Sequence, residues 1–215
     1  MNLDFYDVII LDCDGVVFDS NLLKVKAFEK ALQNYSIETV KAFSQYFQNN
    51  FGTSRYFLVK VFIKEFLNQD FDEKLYQEIL ENYGFFCVQL YKESSFTKNF
   101  LEFIKYYKDK KFYIASGGDE KELNEVFSVR GINHYFEEIC GSPRKKSDLI
   151  DYIINKHPEQ KILMIGDAKS DFLASQINHI DFIYMSQYSL VEDVMKKLSL
   201  EYHFNIINHL GDLIK

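Results

Sequence analysis

Aspartates follow two short apolar runs of this chain. Asp12 and Asp14 come directly after the run Val-Ile-Ile-Leu, and Asp167 and Asp171 follow the run Ile-Leu-Met-Ile-Gly. Apolar tetrads of this kind are typical of buried parallel strands, and ligands bind just beyond the carboxyl ends of such strands. Four carboxylates at one sheet edge repel one another unless a cation lies among them. Because oxygen-only ligands suit Mg²⁺, the spacing predicts a magnesium site.

Composition and charge exclude several classes of function. The chain has 215 residues, is 47% apolar and carries a formal net charge of −7. This length predicts one domain with a sizeable insertion, or two small domains. The acidic balance argues against nucleic-acid and membrane-surface partners, for which a basic patch is expected.

The three cysteines and the pattern of the first residues indicate in which cellular compartment the protein is expected. Cys13, Cys87 and Cys140 form no CxxC pair, which argues against a disulfide framework or a zinc site. The chain shows no signal-peptide pattern and no apolar run of membrane-spanning length. We therefore expect a cytoplasmic protein, as a monomer or a weak homodimer.

From about residue 98 onward, strand patterns and helix patterns alternate. The predicted strands are residues 111–116, 136–140, 161–165 and 181–185. The predicted helices between and after them are residues 119–130, 145–156 and 170–178. Short alternating elements are typical of βαβ crossovers, so we predict an α/β fold with a doubly wound parallel sheet. Beyond residue 186 we expect a late helix and one edge strand.

Residues 20–92 show helical periods and no strand pattern. The segment 56–67 is apolar over most of its circumference, which indicates a helix buried on several sides. Residues 72–91 are predicted to form a further helix, bent at Gly84. We therefore predict an α-helical bundle inserted after the first strand.

Four ordered motifs resemble those of a known family. Residues 12–20 read DCDGVVFDS and match DxDGxxxDS, Ser116 ends a strand, Lys146 follows Gly-Ser-Pro, and Asp167 and Asp171 complete GDxxxD. The chain thus resembles the haloacid dehalogenase-like (HAD) superfamily, and more narrowly its helical-cap phosphatase and β-phosphoglucomutase-like branch. The resemblance implies a Rossmann-like core domain of residues 1–18 and 93–215, and a helical cap domain of residues 19–92.

The resemblance also implies roles for the aspartates. Asp12 would be the nucleophile and a metal ligand, and Asp14 the general acid and base, with its backbone carbonyl on the metal. Asp167 would be the second metal-binding carboxylate, and Asp171 a water-mediated or orienting partner at the metal. Haloalkanoate dehalogenases do not keep an aspartate at the position of Asp14, so its presence favours phosphoryl transfer.

Other residues would bind the phosphoryl group and the rest of the substrate. Ser116 and the backbone amides near Gly117, at the start of the next helix, would hold phosphate oxygens. Lys146 would neutralise the transferring group, although the adjacent Lys145 is an alternative.

Two further cations belong to the predicted cap. Arg55 lies in a Gly-Thr-Ser-Arg segment and is a candidate for binding a substrate carboxylate or second phosphate, with Lys24 as a weaker candidate. The sequence alone favours the alternative that both are solvated surface charges.

The resulting hypothesis is a Mg²⁺-dependent phosphatase for a small phosphorylated metabolite, such as a sugar phosphate or a phosphoglycolate-like acid. A phosphomutase of the β-phosphoglucomutase kind shares all four motifs and is the main alternative. A binding or regulatory protein that keeps the fold without turnover is a second alternative.

Overall fold

A six-stranded parallel sheet forms the centre of the protein. The computed structural model describes residues 3–214, and in them the strand order is β3-β2-β1-β4-β5-β6. The strands are β1 (Val8–Leu11), β2 (Lys111–Asp119), β3 (Glu138–Ser142), β4 (Ile162–Gly166), β5 (Asp181–Met185) and β6 (Asn205–Ile207). Every neighbouring pair runs parallel. Because β1 pairs with β4, the ends of these two strands lie side by side.

Nine α-helices accompany the sheet in residues 3–214. They are α1 (Asn21–Ala31), α2 (Ile37–Asn49), α3 (Arg55–Val61), α4 (Glu73–Glu93), α5 (Phe100–Tyr106), α6 (Glu120–Val129), α7 (Lys146–Lys156), α8 (Lys169–Ile177) and α9 (Glu192–Tyr202). Helices α1 to α4 lie between β1 and α5, whereas most of the later helices alternate with strands. The late helix and edge strand expected beyond residue 186 are α9 and β6.

The sheet is covered on both faces. Ile9 and Leu11 of β1 belong to one apolar cluster, which extends into α1 to α6, whereas Val8 and Ile10 belong to a second cluster with α7, α8 and α9. Successive side chains of a strand point to opposite faces, so this division follows directly from the sequence. The prediction of a doubly wound α/β fold is confirmed.

The inserted helices have an aromatic core of their own. The ring of Phe28 in α1 stacks on Tyr83 of α4 at 3.7 Å between centroids, and Phe43 of α2 contacts both Phe28 and Phe62 edge-on. Edge-on and offset aromatic pairs of this kind contribute beyond their buried area. The predicted helical insertion is therefore present, and its exact boundaries at residues 18–19 and 92–93 stay a prediction.

Local structure differs from the predictions at several places, and the strand expected over 136–140 is β3, shifted by two residues. The helix expected over 56–67 is α3 followed by a π-helical turn, Phe62–Phe66, and α4 passes through Gly84 as one helix. Strand β2 continues beyond Ser116 to Asp119. The next helix begins only at Glu120, because the Asp119 carboxylate accepts hydrogen bonds from the amides of the first turn.

Candidate active site

Three buried carboxylates meet beyond the carboxyl ends of β1 and β4. Asp12 follows β1, Asp167 and Asp171 follow β4, and one oxygen of each lies within 4.8 Å of the other two. None of the three is more than 2% exposed. The structure thus brings together three of the four carboxylates that the sequence places at this edge.

The loops that carry these carboxylates are held by close backbone approach. Gly15 has a φ of +74°, and a Cβ atom there would lie 2.0 Å from Oδ2 of Asp167. Only glycine tolerates both the conformation and the contact. Oδ2 of Asp171 accepts hydrogen bonds from the amides of Asp167 and Ala168, at 3.1 and 2.9 Å. Asp171 therefore fixes the loop that positions Asp167.

Lys146 is the cation of this cluster. Its Nζ lies 2.9 Å from Oδ1 of Asp12 and also donates to Asp171. Burial disfavours the ammonium, but the carboxylates of Asp12 and Asp171 outweigh it and raise the pKa of Lys146 above its usual value. The neighbouring Lys145 is exposed. The geometry thus places Lys146, rather than Lys145, against Asp12.

Asp14 turns away from the cluster and towards the inserted helices. Its carboxylate accepts hydrogen bonds from Lys24 at 2.5 Å, from Ser20 at 2.6 Å and from Tyr91 at 2.8 Å. Lys24 is buried, and burial alone would lower the pKa of its ammonium, yet Asp14 raises it. The expectation that Lys24 could be a solvated surface charge is therefore wrong, since its ammonium pairs with the protein's own carboxylate.

Ser116 and Gly117 lie in the second half of β2, where the strand approaches the insertion. The Oγ of Ser116 accepts a hydrogen bond from the amide of Gly118 at 3.0 Å, and Ser142 donates to the carbonyl of Gly117 at 2.9 Å. A Cβ atom on Gly117 would lie 2.5 Å from the carbonyl oxygen of Gly52. These amides belong to an extended strand and not, as the sequence suggested, to the first turn of a helix.

Arg55 links the insertion to the core. Its guanidinium donates to both oxygens of Glu122 in α6, at 2.8 and 2.7 Å, and lies over the ring of Tyr83. A Cβ atom on Gly84 would lie 2.6 Å from Oε1 of Glu122, so this glycine makes room for the pair. Arg55 is 5% exposed and is not a solvated surface charge. In this conformation the carboxylate that it binds is Glu122.

We expect the substitution Glu122→Gln to lower the free energy of unfolding by about 2 kcal/mol, because it leaves the buried guanidinium of Arg55 without a counter-charge. Glu122 is partly exposed, so the loss should fall below that of a fully buried pair. Urea unfolding followed by circular dichroism measures the effect. Glu125→Gln, an exposed position on the same helix, is the matched control and should change stability by less than about 0.5 kcal/mol. Equal effects of the two substitutions would contradict a stabilising pair.

The space between the insertion and the core is nearly closed. A cavity of about 20 Å³ lies between Asp12, Asp14, Lys24, Arg55 and Gly117. This volume holds about one water molecule. The structure therefore shows the site with the inserted helices closed over the carboxylates.

The carboxylate cluster fits a divalent cation. Oδ1 of Asp167 is buried and has no hydrogen-bond partner in the described part of the chain, while its Oδ2 accepts from Asn21 at 2.5 Å. Burial, together with the charge of Asp171, raises the pKa of Asp12 to about 7 against the partly opposing effect of Lys146. Burial and the charge of Asp12 raise that of Asp167 as well. Three crowded oxygen donors, one of them unpaired, are the arrangement that a hard cation such as Mg²⁺ stabilises.

Sequence reasoning missed several residues that contact the predicted ones. They are Asn21 at Asp167, Ser20 and Tyr91 at Asp14, and Glu122 at Arg55. Ser20 lies within the first motif, so a polar partner there was detectable. The contacts of Asn21, Tyr91 and Glu122 join segments far apart in the chain, and no local spacing indicates them.

Comparisons with known proteins agree on the fold. The family described as haloacid dehalogenase-like hydrolase matches residues 9–185. A predicted phosphatase from Clostridium acetobutylicum is 19% identical, with a TM-score of 0.73 over 98% of this chain and 97% of that one. A predicted phosphoglycolate phosphatase from Haemophilus somnus is 16% identical, with a TM-score of 0.75 over 99% and 98%. A hydrolase from Pseudomonas syringae is 18% identical, with a TM-score of 0.75 over 97% and 95%.

A second search and a survey of the helices each gave a negative result. A search of curated proteins found no match to this chain. Among residues 3–214, no helix combines the length and the apolar character that crossing a membrane requires.

Proposed function

Because the chain belongs to the haloacid dehalogenase-like hydrolases, we propose that it is a Mg²⁺-dependent phosphatase that acts on a small phosphorylated metabolite through an aspartyl-phosphate. The observation that carries this proposal is the buried cluster of Asp12, Asp167 and Asp171 with Lys146 at its side. Such a cluster combines a nucleophilic carboxylate with the charges needed to neutralise a phosphoryl group.

Asp12 is the nucleophile in this proposal. One of its carboxylate oxygens attacks phosphorus, the bond between phosphorus and the ester oxygen breaks, and an aspartyl-phosphate forms. Lys146, 2.9 Å from Oδ1, holds the carboxylate in place and offsets the charge of the incoming group. Both side chains are buried, so their mutual charge interaction is strong.

Asp14 is the general acid and then the general base in this proposal. In the first step its carboxyl proton passes to the leaving ester oxygen, and in the second its carboxylate takes a proton from the water that attacks the aspartyl-phosphate. The second step releases phosphate and restores the carboxylate of Asp12. Lys24, Ser20 and Tyr91 each donate a hydrogen bond to the Asp14 carboxylate, and these three contacts orient it.

The remaining groups position the phosphoryl oxygens and a cation. Ser116 and Gly117 are neighbours in the second half of β2, and Gly117 lines the catalytic cavity together with Asp12. The Ser116 hydroxyl and the amide of Gly117 would donate to non-bridging oxygens. Asp12, Asp167 and the backbone carbonyl of Asp14 would hold Mg²⁺, and Asp171 would orient that set. When bound, the cation supplies charge neutralisation for the nucleophile and the transferring group.

The experiment that tests the proposal is release of inorganic phosphate from a panel of phosphorylated metabolites in the presence of Mg²⁺. The panel should include phosphoglycolate, hexose phosphates and phosphorylated hydroxy acids. We expect phosphate to accumulate with at least one of them. Interconversion of hexose phosphate isomers without phosphate release would instead support a mutase. If the protein neither released phosphate nor interconverted isomers, the result would support a binding or regulatory protein.

A further inference from the structure

Two hollows flank the closed catalytic cavity, and they differ in charge. One, of about 460 Å³, is lined by Arg55 together with the carboxylates of Glu81, Asp119 and Glu122. The other, of about 380 Å³, lies between α3, α7 and α8, and none of the described residues that line it carries a carboxylate. We call the second the basic groove and define it by Phe57, Arg144, Lys145, Lys146, Leu173 and Ile177.

The basic groove is continuous with the proposed catalytic residues. Gly52, Thr53 and Gly117 line both the groove and the catalytic cavity, and Lys146 forms part of the groove wall. These three shared residues make the groove a direct neighbour of the catalytic cavity. A phosphoryl group on Asp12, which lines the cavity, would therefore lie in the space next to the groove.

The groove also offers apolar surface and a cation without a carboxylate partner. Phe57, Leu173 and Ile177 are 54%, 46% and 67% exposed, which is unusual for large apolar side chains that line one hollow. Arg144 pairs with Glu120, but Lys145 is exposed and forms no ion pair with any of residues 3–214. Arg55 and Lys24, in contrast, are both bound to protein carboxylates.

We propose, on the basis of the proposed phosphatase function, that the basic groove binds the organic part of the substrate, and that this part carries an apolar group and a second negative charge. The catalytic cavity of about 20 Å³ has no space for it when the helices are closed. The hollow beside Glu122 repels an anion, whereas the groove attracts one through Lys145 and covers an apolar group with Phe57, Leu173 and Ile177. Aryl or branched-chain phosphomonoesters with a carboxylate fit this description.

Binding of a matched set of phosphonates to the full chain tests the proposal without turnover. The probes are 4-(phosphonomethyl)phenylacetate, its methyl ester, which lacks the second charge, and phosphonoacetate, which lacks the ring. Calorimetry with Mg²⁺ present should rank the first probe tightest. We expect Ile177→Ser to weaken both aryl probes by about tenfold and to leave phosphonoacetate unchanged. Lys145→Gln should weaken the carboxylate probe by about threefold and leave the methyl ester unchanged.

Leu200→Ser and Lys197→Gln, which are exposed positions on α9, are the matched controls and should alter none of the three affinities. Equal affinities of the three probes, no binding of any probe, or control variants that act like the groove variants would each overturn the proposal. If the groove variants weakened the probes as expected but the protein released no phosphate, the groove would stand as a binding site and the proposed phosphatase function would be rejected. If the protein released phosphate and the groove variants left the KM of its substrates unchanged, the phosphatase function would stand and the groove proposal would be rejected.

Discussion

Replacing Asp12 with asparagine should lower kcat for phosphate release by at least about 10⁴-fold, because the amide is not a nucleophile and the attack on phosphorus is lost. Asparagine has nearly the shape of aspartate, and the buried site around Lys146 should remain folded. Steady-state phosphate release from the best substrate of the panel measures the effect. A circular dichroism melt of the variant checks that the fold is retained.

Asp193→Asn is the control for this substitution. Asp193 is an exposed aspartate in the first turn of α9 that belongs neither to the carboxylate cluster nor to the lining of the catalytic cavity, and its loss should leave kcat unchanged. If Asp12→Asn retained more than about a tenth of the activity, Asp12 could not be the nucleophile, since losses on removing such a residue are orders of magnitude larger.

Removal of divalent cations with a chelator should reduce phosphate release to the level of the Asp12→Asn variant, and added Mg²⁺ should restore it. Without a cation, the crowded carboxylates of Asp12, Asp167 and Asp171 repel an anionic substrate, and Lys146 alone offsets only part of their charge. Phosphate release in chelator-treated buffer, before and after Mg²⁺ is returned, measures the effect. Full activity in chelator would contradict a metal-dependent reaction.

Thermal unfolding gives a second measure of the cation that does not depend on activity. Burial raises the pKa of Asp12 in the folded protein to about 7, above its unfolded value, so the metal-free fold is stabilised below the unfolded pKa and loses that contribution as the pH rises through about 7. Mg²⁺ binds the ionised carboxylates, and protons compete with it at low pH. We therefore expect Mg²⁺ to raise Tm more at pH 8 than at pH 5. Asp167→Asn should remove most of this difference, and an equal shift at both pH values would contradict the site.

Much of the core could be predicted from the sequence because local patterns determine it. Strand β1 is four apolar residues buried on both faces, and strand β5 was predicted with its observed bounds. Pairing of β1 with β4 then places Asp12 beside Asp167, so the cluster follows from topology. These features depend on short hydrophobic patterns, which a single sequence displays, and on the parallel sheet that alternating strands and helices predict.

The contacts between the insertion and the core could not be predicted in the same way. The pairs Lys24–Asp14 and Arg55–Glu122 depend on how α1 and α3 pack over the ends of β1 and β2. Cationic side chains on a helix usually point to solvent, so the sequence alone favours the wrong environment for both. The close approach of Gly84 to Glu122 is likewise a tertiary feature, for which an isolated glycine in a helical pattern gives no specific indication.

The most direct test of the account is to trap the covalent intermediate. Asp14→Asn protein should form the aspartyl-phosphate and hydrolyse it slowly, because the base for the attacking water is missing. Acid quenching after incubation with Mg²⁺ and a substrate that has a good leaving group, followed by peptide mass spectrometry, locates any phosphoryl group. The account predicts one phosphoryl group on the peptide that contains Asp12. This phosphoryl group should be absent from the double variant that carries both Asp12→Asn and Asp14→Asn. A phosphoryl group on another residue, or phosphate release with no trapped intermediate in the Asp14→Asn protein, would contradict it.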